Sequence, residues 1–130
     1  MDQENGIAIP SIATLDGFIE AVKKNDGLGV NSLPIGTTLL IETENSHYQL
    51  IILNPDTRSV IISSSDSKFI QQPTNGVLNG STFGGRWLRS GWIGVGMRIE
   101  ICLDNGTTLT TSKVEKISLV YFASSSRVTH

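Results

Sequence analysis

The residues best suited to chemistry lie in a stretch where cations alternate with aromatic rings. No aspartate or glutamate occurs between Ser67 and Ile99. We call residues 68–98 the basic-aromatic segment, and its cations and rings are Lys68, Phe69, Phe83, Arg86, Trp87, Arg89, Trp92 and Arg98. In proteins that bind single-stranded nucleic acid, cations contact phosphates and rings stack on bases. Sugar-binding sheets also present tryptophans. The segment therefore predicts a binding site for a polyanion or a sugar, with candidate ligand-binding residues Arg86, Trp87, Arg89, Trp92 and Arg98.

Two other interpretations of the basic-aromatic segment stay open at this point. Trp87 and Trp92 can fill the core of a barrel, with glycines that let the chain pass close around them. The arginines would then pair with acidic residues from the N-terminal third of the chain. Alternatively, the segment mediates self-association.

A second group of reactive residue types is formed by Glu42, Glu44 and His47. One residue separates the glutamates, so both side chains lie on one face of an extended chain. The pattern is compatible with a small metal-dependent enzyme around His47, and equally with a hairpin end that carries solvated charges. No serine or cysteine stands in a setting that would activate it as a nucleophile. We expect no catalytic residue, no metal site and no cofactor, and hence a protein that is not an enzyme.

Two further motifs are incomplete. Residues 80–87 contain two glycines at the spacing of a phosphate-binding loop, but Arg86 and Trp87 stand where that loop has Lys and then Ser or Thr. Cys102 is the only cysteine, which excludes an internal disulfide and a multi-cysteine zinc site. A lone thiol favours a reducing compartment, so we expect a cytoplasmic protein.

The charge of the chain is unevenly distributed. The formal net charge is −2, but the residues up to Asn45 include seven acidic and two basic ones, and the rest include five acidic and eight basic ones. This asymmetry indicates either contact with a polyanion or packing of one half of the chain against the other. The sequence has no run of 18 apolar residues, so we expect no membrane-spanning segment.

The pattern of apolar residues defines the elements that must position these groups. Residues 1–10 are expected to form an arm, and residues 14–25 a helix with Thr14 as its cap. Its apolar stripe consists of Leu15, Phe18, Ile19 and Val22. Residues 37–122 form the β domain, and residues 123–130 a frayed tail. Within the β domain, strands are predicted over 38–42, 47–53, 58–63, 97–103, 107–111 and 114–122, with short strands near Trp87 and Trp92. Asn105-Gly106 marks a tight hairpin turn.

The predicted fold is a single, mainly-β domain over residues 1–130. It contains six to eight short antiparallel strands, in a small barrel or a two-layer sandwich, with one N-terminal helix. The first three strands carry apolar residues on both faces and surface charge is low, so we also expect a homo-oligomer. The chain is therefore expected to act by binding or self-assembly.

Overall fold

The computed structural model describes residues 15–84 and 87–121, with only the backbone of Leu15. The predicted arm, the cap at Thr14 and the predicted tail lie outside the described residues. Helix α1 spans Leu15–Asn25, with Asp16 in its first turn and Lys23 and Lys24 in its last turn, where each charge suits the helix dipole. It ends where Asp26 adopts a left-handed conformation with φ 55°.

The strands confirm a mainly-β fold. After α1 the chain forms β1 (Gly27–Gly29), a short 3₁₀ helix (Val30–Ser32), β2 (Thr38–Thr43), β3 (His47–Asn54), β4 (Ser59–Ser63), β5 (Thr74–Thr82), β6 (Leu88–Ser90), β7 (Trp92–Gly94), β8 (Arg98–Leu103) and β9 (Thr108–Tyr121).

The large sheet has the strand order β4-β3-β2-β9-β8-β5-β6, and all of its pairs are antiparallel. β4 also pairs with β5, so six of the seven strands close into a ring and leave β6 outside it. This closure makes the fold a barrel. A second sheet pairs β1 with β7.

The interior is apolar because alternate side chains of every barrel strand point inward. Leu39, Leu50, Ile62, Leu78 and Ile101 are almost completely buried. The same core includes buried residues from α1, β1, the 3₁₀ helix and β7, namely Phe18, Leu28, Val30 and Ile93. The predicted apolar stripe of the helix is only partly buried, since Ile19 is 44% exposed.

One predicted boundary is wrong. Residues 107–111 and 114–122 are not two strands, because β9 runs unbroken from Thr108 to Tyr121. Its first half pairs with β8 and its second half with β2, with a register shift between Thr110 and Lys113. The Thr111 hydroxyl accepts a hydrogen bond from the Ile99 amide at 3.0 Å. A side-chain oxygen thus takes the place of a backbone carbonyl at the irregular part of the strand pair. Among the described residues, no helix is long and apolar enough to cross a membrane.

Candidate functional site

The barrel contains a seam along one edge of β5, where its neighbour changes. β4 pairs with β5 as far as Val77, which lies opposite Ser59. β6 takes over from Gly80, which lies opposite Ser90. A groove of about 450 Å³ lies here, and we call it the seam groove. Its lining includes Asn31, Ser32, Asp56, Arg58, Arg89 and Trp92.

Arg58 reaches the seam groove from the turn between β3 and β4. In this turn the Asn54 side-chain oxygen accepts hydrogen bonds from the amides of Asp56 at 2.9 Å and Thr57 at 3.4 Å. Arg58 follows with φ 60°, a left-handed conformation that costs a non-glycine residue about 1–2 kcal/mol. Its Nε atom donates to the Leu78 carbonyl oxygen at 3.0 Å, which leaves the rest of the guanidinium facing the groove.

Arg89 reaches the seam groove from β6. Gly91, with φ 67°, joins β6 to β7 and so brings Arg89 back over Trp92. The Arg89 Cζ atom lies 3.6 Å from the centroid of the Trp92 ring, a cation–π contact. The Trp92 backbone is held in place because its carbonyl oxygen accepts a hydrogen bond from the Ser81 hydroxyl at 2.5 Å. One face of Trp92 thus serves to position Arg89.

Gly91 also leaves space for Arg58. A Cβ atom at this position would lie 3.2 Å from the Arg58 Cδ atom, closer than most side-chain contacts. Arg58 therefore packs close to the turn that follows Arg89, and both arginines line the same groove.

Among the described residues, no acidic side chain forms an ion pair with either arginine of the groove. Within residues 15–84 and 87–121, ion pairs join His47 to Glu42 and to Asp66, and none involves an arginine. Asp56 is the acidic residue in the lining of the groove. Guanidinium groups present planar sets of N–H donors that match phosphate and carboxylate oxygens. Arg58 and Arg89 can thus receive an anionic group from solution.

The structure brings together only part of the predicted site. Arg89 and Trp92 line the seam groove. Trp87 is 71% exposed and precedes β6. Arg98 lies half-buried on β8, away from the groove lining, and its Nη1 atom is 3.5 Å from the Thr111 carbonyl oxygen. Arg86 lies outside the described residues.

The interpretation in which the tryptophans fill the core and the arginines pair with acids can be compared with these positions. Trp87 does not fill the core, and Trp92 is half-buried at its edge. Arg89 stacks on a ring and Arg98 approaches a backbone carbonyl, so neither described arginine of the segment pairs with an acid of the N-terminal third. Arg58 was missed because it lies outside the segment, directly after a turn that the sequence does reveal. The signal that could have identified Arg58 is its long, charged side chain directly after the Asn54-Pro55-Asp56-Thr57 turn, at a position where glycine is common.

His47 lies in a different arrangement from the predicted one. Its Nδ1 atom donates to the Asp66 carboxylate at 2.8 Å, and its Nε2 atom is 3.7 Å from the Glu42 carboxylate. The Glu44 carboxylate instead accepts a hydrogen bond from the Lys113 amide at 3.2 Å. The predicted group of Glu42, Glu44 and His47 is therefore not assembled. In the part of the chain that the structure describes, no three His, Cys, Asp or Glu residues are placed to hold a metal ion.

Hydrogen bonds shift the pKa values of His47 and Asp66 in opposite directions. The hydrogen bond to Asp66 raises the pKa of His47 above its usual 6.5, against a smaller desolvation effect. The hydrogen bonds that Asp66 accepts from the His47 amide, the His47 ring and the Ser64 hydroxyl lower its pKa to about 2. Both groups are exposed. Their hydrogen bonds join the loop after β4 to the start of β3.

Comparisons of this chain with protein-family models, curated proteins and solved structures give no match. Any assignment of function therefore depends on the geometry of the described residues.

Proposed function

We propose that this chain is a non-enzymatic binding module that takes a phosphate-bearing ligand, such as single-stranded nucleic acid, in the seam groove. The observation that supports this is the presence of Arg58 and Arg89 in one groove without an ion-pair partner among the described residues. Each guanidinium is already held by a neighbour, Arg58 by the Leu78 carbonyl and Arg89 by the Trp92 ring. Little side-chain entropy is then lost when a phosphate binds.

Trp87 favours a nucleotide over an isolated anion. It precedes Arg89 by two residues, a spacing that places both side chains on one face of an extended chain, about 7 Å apart. Its ring is exposed to solvent, unlike the Trp92 ring, one face of which is covered by Arg89. A base that stacks on Trp87 would leave its phosphate near Arg89.

The test uses a fluorescein-labelled thymidine decamer and its anisotropy at low salt. We expect binding by the wild type, and weaker binding by Arg58→Ala and by Arg89→Ala. The matched control is Arg98→Ala, which removes the same charge outside the groove and should bind like the wild type. Asp56→Asn removes the acidic side chain of the groove and should strengthen binding. No binding by the wild type at low salt, or an equal loss in the control, would exclude this site.

Self-association is a second proposal, and it has its own observation. Large apolar side chains on α1 and at the end of β9 face solvent: Ile19 is 44% exposed, Val120 55% and Tyr121 61%. Exposed apolar surface of this kind favours contact with another protein surface. Light scattering at micromolar concentration should give a particle mass above the 14.0 kDa of one chain. A single species of that mass would exclude self-association.

A cytoplasmic location remains part of the proposal. Cys102 is unpaired and half-buried, which suits a reducing compartment. Fractionation of cells that express the chain should recover it with cytoplasmic markers, and recovery from a secreted or periplasmic fraction would contradict this.

A further inference from the structure

An apolar groove runs between α1 and the second half of β9. It measures about 440 Å³, and its lining combines apolar side chains with a few polar ones, namely Phe18, Val22, Ile117 and Leu119 with Lys23, Lys116 and Ser118. Ile19 stands at its edge and is 44% exposed. No other element of the described residues lines this groove. The surface thus combines an apolar centre with an open side.

Charged residues lie on both sides of Ile19 along α1. Asp16 is exposed in the first turn, Glu20 is exposed at the middle of the helix, and Lys23 and Lys24 are exposed in the last turn. Residues three or four apart share one face of a helix. Asp16, Ile19 and Lys23 therefore form one outward stripe, acidic at one end, apolar in the middle and basic at the other.

From this layout we infer that the α1–β9 face is the contact surface between two copies of the chain, related by a two-fold axis near Ile19. A two-fold axis perpendicular to a helix places a second copy of that helix antiparallel to the first. The acidic end of each stripe then lies opposite the basic end of the other, and the two Ile19 side chains meet over the apolar grooves. A parallel arrangement would place like charges together, which costs free energy.

The charge pattern is the reason for choosing a second copy over an unrelated partner. An unrelated acidic or basic protein would be attracted by one half of the stripe and repelled by the other. A copy of the same stripe, turned by half a revolution, complements both halves. This inference rests on the proposed self-association and adds the surface through which it occurs.

The test uses two full-length variants with reversed charges. The first, Asp16→Lys with Glu20→Lys, makes the stripe entirely basic, and the second, Lys23→Glu with Lys24→Glu, makes it entirely acidic. We expect a wild-type dimer of about twice 14.0 kDa by light scattering, and a monomer for each variant alone. An equimolar mixture of the two variants should form a heterodimer, because each now complements the other. The control, Lys68→Glu with Lys113→Glu, reverses two charges away from the stripe and should remain a dimer.

Mixing separates loss of the interface from loss of folding. Both variants place charges unfavourably for the helix dipole, so each could be less stable. A variant that had lost its fold would not be restored by the other variant, whereas a folded monomer would. Failure of the mixture to form a heterodimer therefore overturns the inference.

The other outcomes are equally decisive. A wild-type dimer that persists in both variants overturns this interface and leaves self-association intact. A wild-type monomer overturns both.

Discussion

Arg58 holds a backbone conformation that suits glycine, at φ 60°. An arginine at this position costs conformational free energy. Its side chain provides two features that glycine lacks, namely the hydrogen bond from Nε to the Leu78 carbonyl oxygen and a positive charge at the seam groove. Strain of this kind occurs more often at functional sites than elsewhere. At the scale of one residue, the stability of the fold and the proposed binding therefore make opposite demands.

The comparison of Arg58→Gly with Arg58→Ala separates these demands. Both variants lose the hydrogen bond and the charge, but only glycine adopts the left-handed conformation without strain. Arg58→Gly should therefore exceed Arg58→Ala in free energy of unfolding, by up to about 1 kcal/mol after the greater chain entropy of glycine is subtracted. Urea denaturation measures this difference. Equal stabilities would mean that the conformation is not strained.

The pair formed by His47 and Asp66 predicts a limited pH range of extra stability. The pKa of His47 is raised above 6.5, so its contribution is complete below pH 6.5 and is lost as the pH rises through the raised value. The pKa of Asp66 is lowered from 3.8 to about 2, so its contribution is present above pH 3.8 and is lost as the pH falls toward 2. The pair should stabilise the loop most between pH 3.8 and 6.5.

Asp66→Asn tests this pair. The thermal midpoint of the variant should fall below that of the wild type inside the window and approach it at higher pH. The His47 pKa, followed by NMR, should move back toward 6.5. Asp104→Asn is the control, because Asp104 is an exposed aspartate in the turn after β8 and is not part of the pair. The same pH profile for both variants would contradict the assignment.

At the scale of elements, the hairpin formed by β5 and β6 depends on the lack of a side chain at one position. Gly80 has φ 151°, and a Cβ atom there would overlap the carbonyl oxygen of Arg89 on the paired strand. The pairing of β5 with β6 places Arg89 near the seam groove. At Gly80 the two strands lie too close together for a methyl group.

Gly80→Ala should therefore reduce the free energy of unfolding by about 2 kcal/mol or more, since strain and a backbone clash coincide. Gly84→Ala is the matched control in the same hairpin, because nothing lies within 4 Å of its Cβ position. It should change stability by less than about 0.5 kcal/mol. Chemical denaturation compares the two, and similar values would show that the β5–β6 pairing is not tightly constrained.

The elements that could be predicted are those with a local signal. Alternation identified β2, β3, β4 and β8, and the short strands near Trp87 and Trp92 are β6 and β7. β1 was missed because Gly-Leu-Gly has no alternation, and only its pairing with the distant β7 makes it a strand. The bend in β9 was taken for a boundary between two strands. The hydrogen bond that Thr111 accepts at this bend comes from Ile99 on the neighbouring strand, and a local sequence pattern does not reveal it. For the same reason Asp66 could not be linked to His47 from sequence.

At the scale of the whole molecule, the closure of the barrel forms the seam groove, and the net charge of the chain affects the binding proposed there. Barrel and sandwich could not be separated from sequence, because the difference depends on whether β5 pairs with both β4 and β8. That double pairing also produces the seam, since β6 must continue along β5 where β4 departs. The site is thus a consequence of the closure, and no local pattern encodes it.

The net charge of −2 predicts an unusual salt dependence for the proposed binding. A basic protein attracts nucleic acid over its whole surface, whereas the proposed binding depends on Arg58 and Arg89 alone. Each phosphate neutralised on a single strand contributes about −0.7 to the slope of log K against log salt, so two phosphates should give about −1.4. Arg89→Ala should reduce the slope to about −0.7, while Arg98→Ala should leave it unchanged. Anisotropy titrations of the labelled thymidine decamer between about 50 and 200 mM salt measure these slopes, since affinity falls measurably with salt over this range. A slope several times steeper would place the contacts outside the groove, because two arginines cannot neutralise so many phosphates.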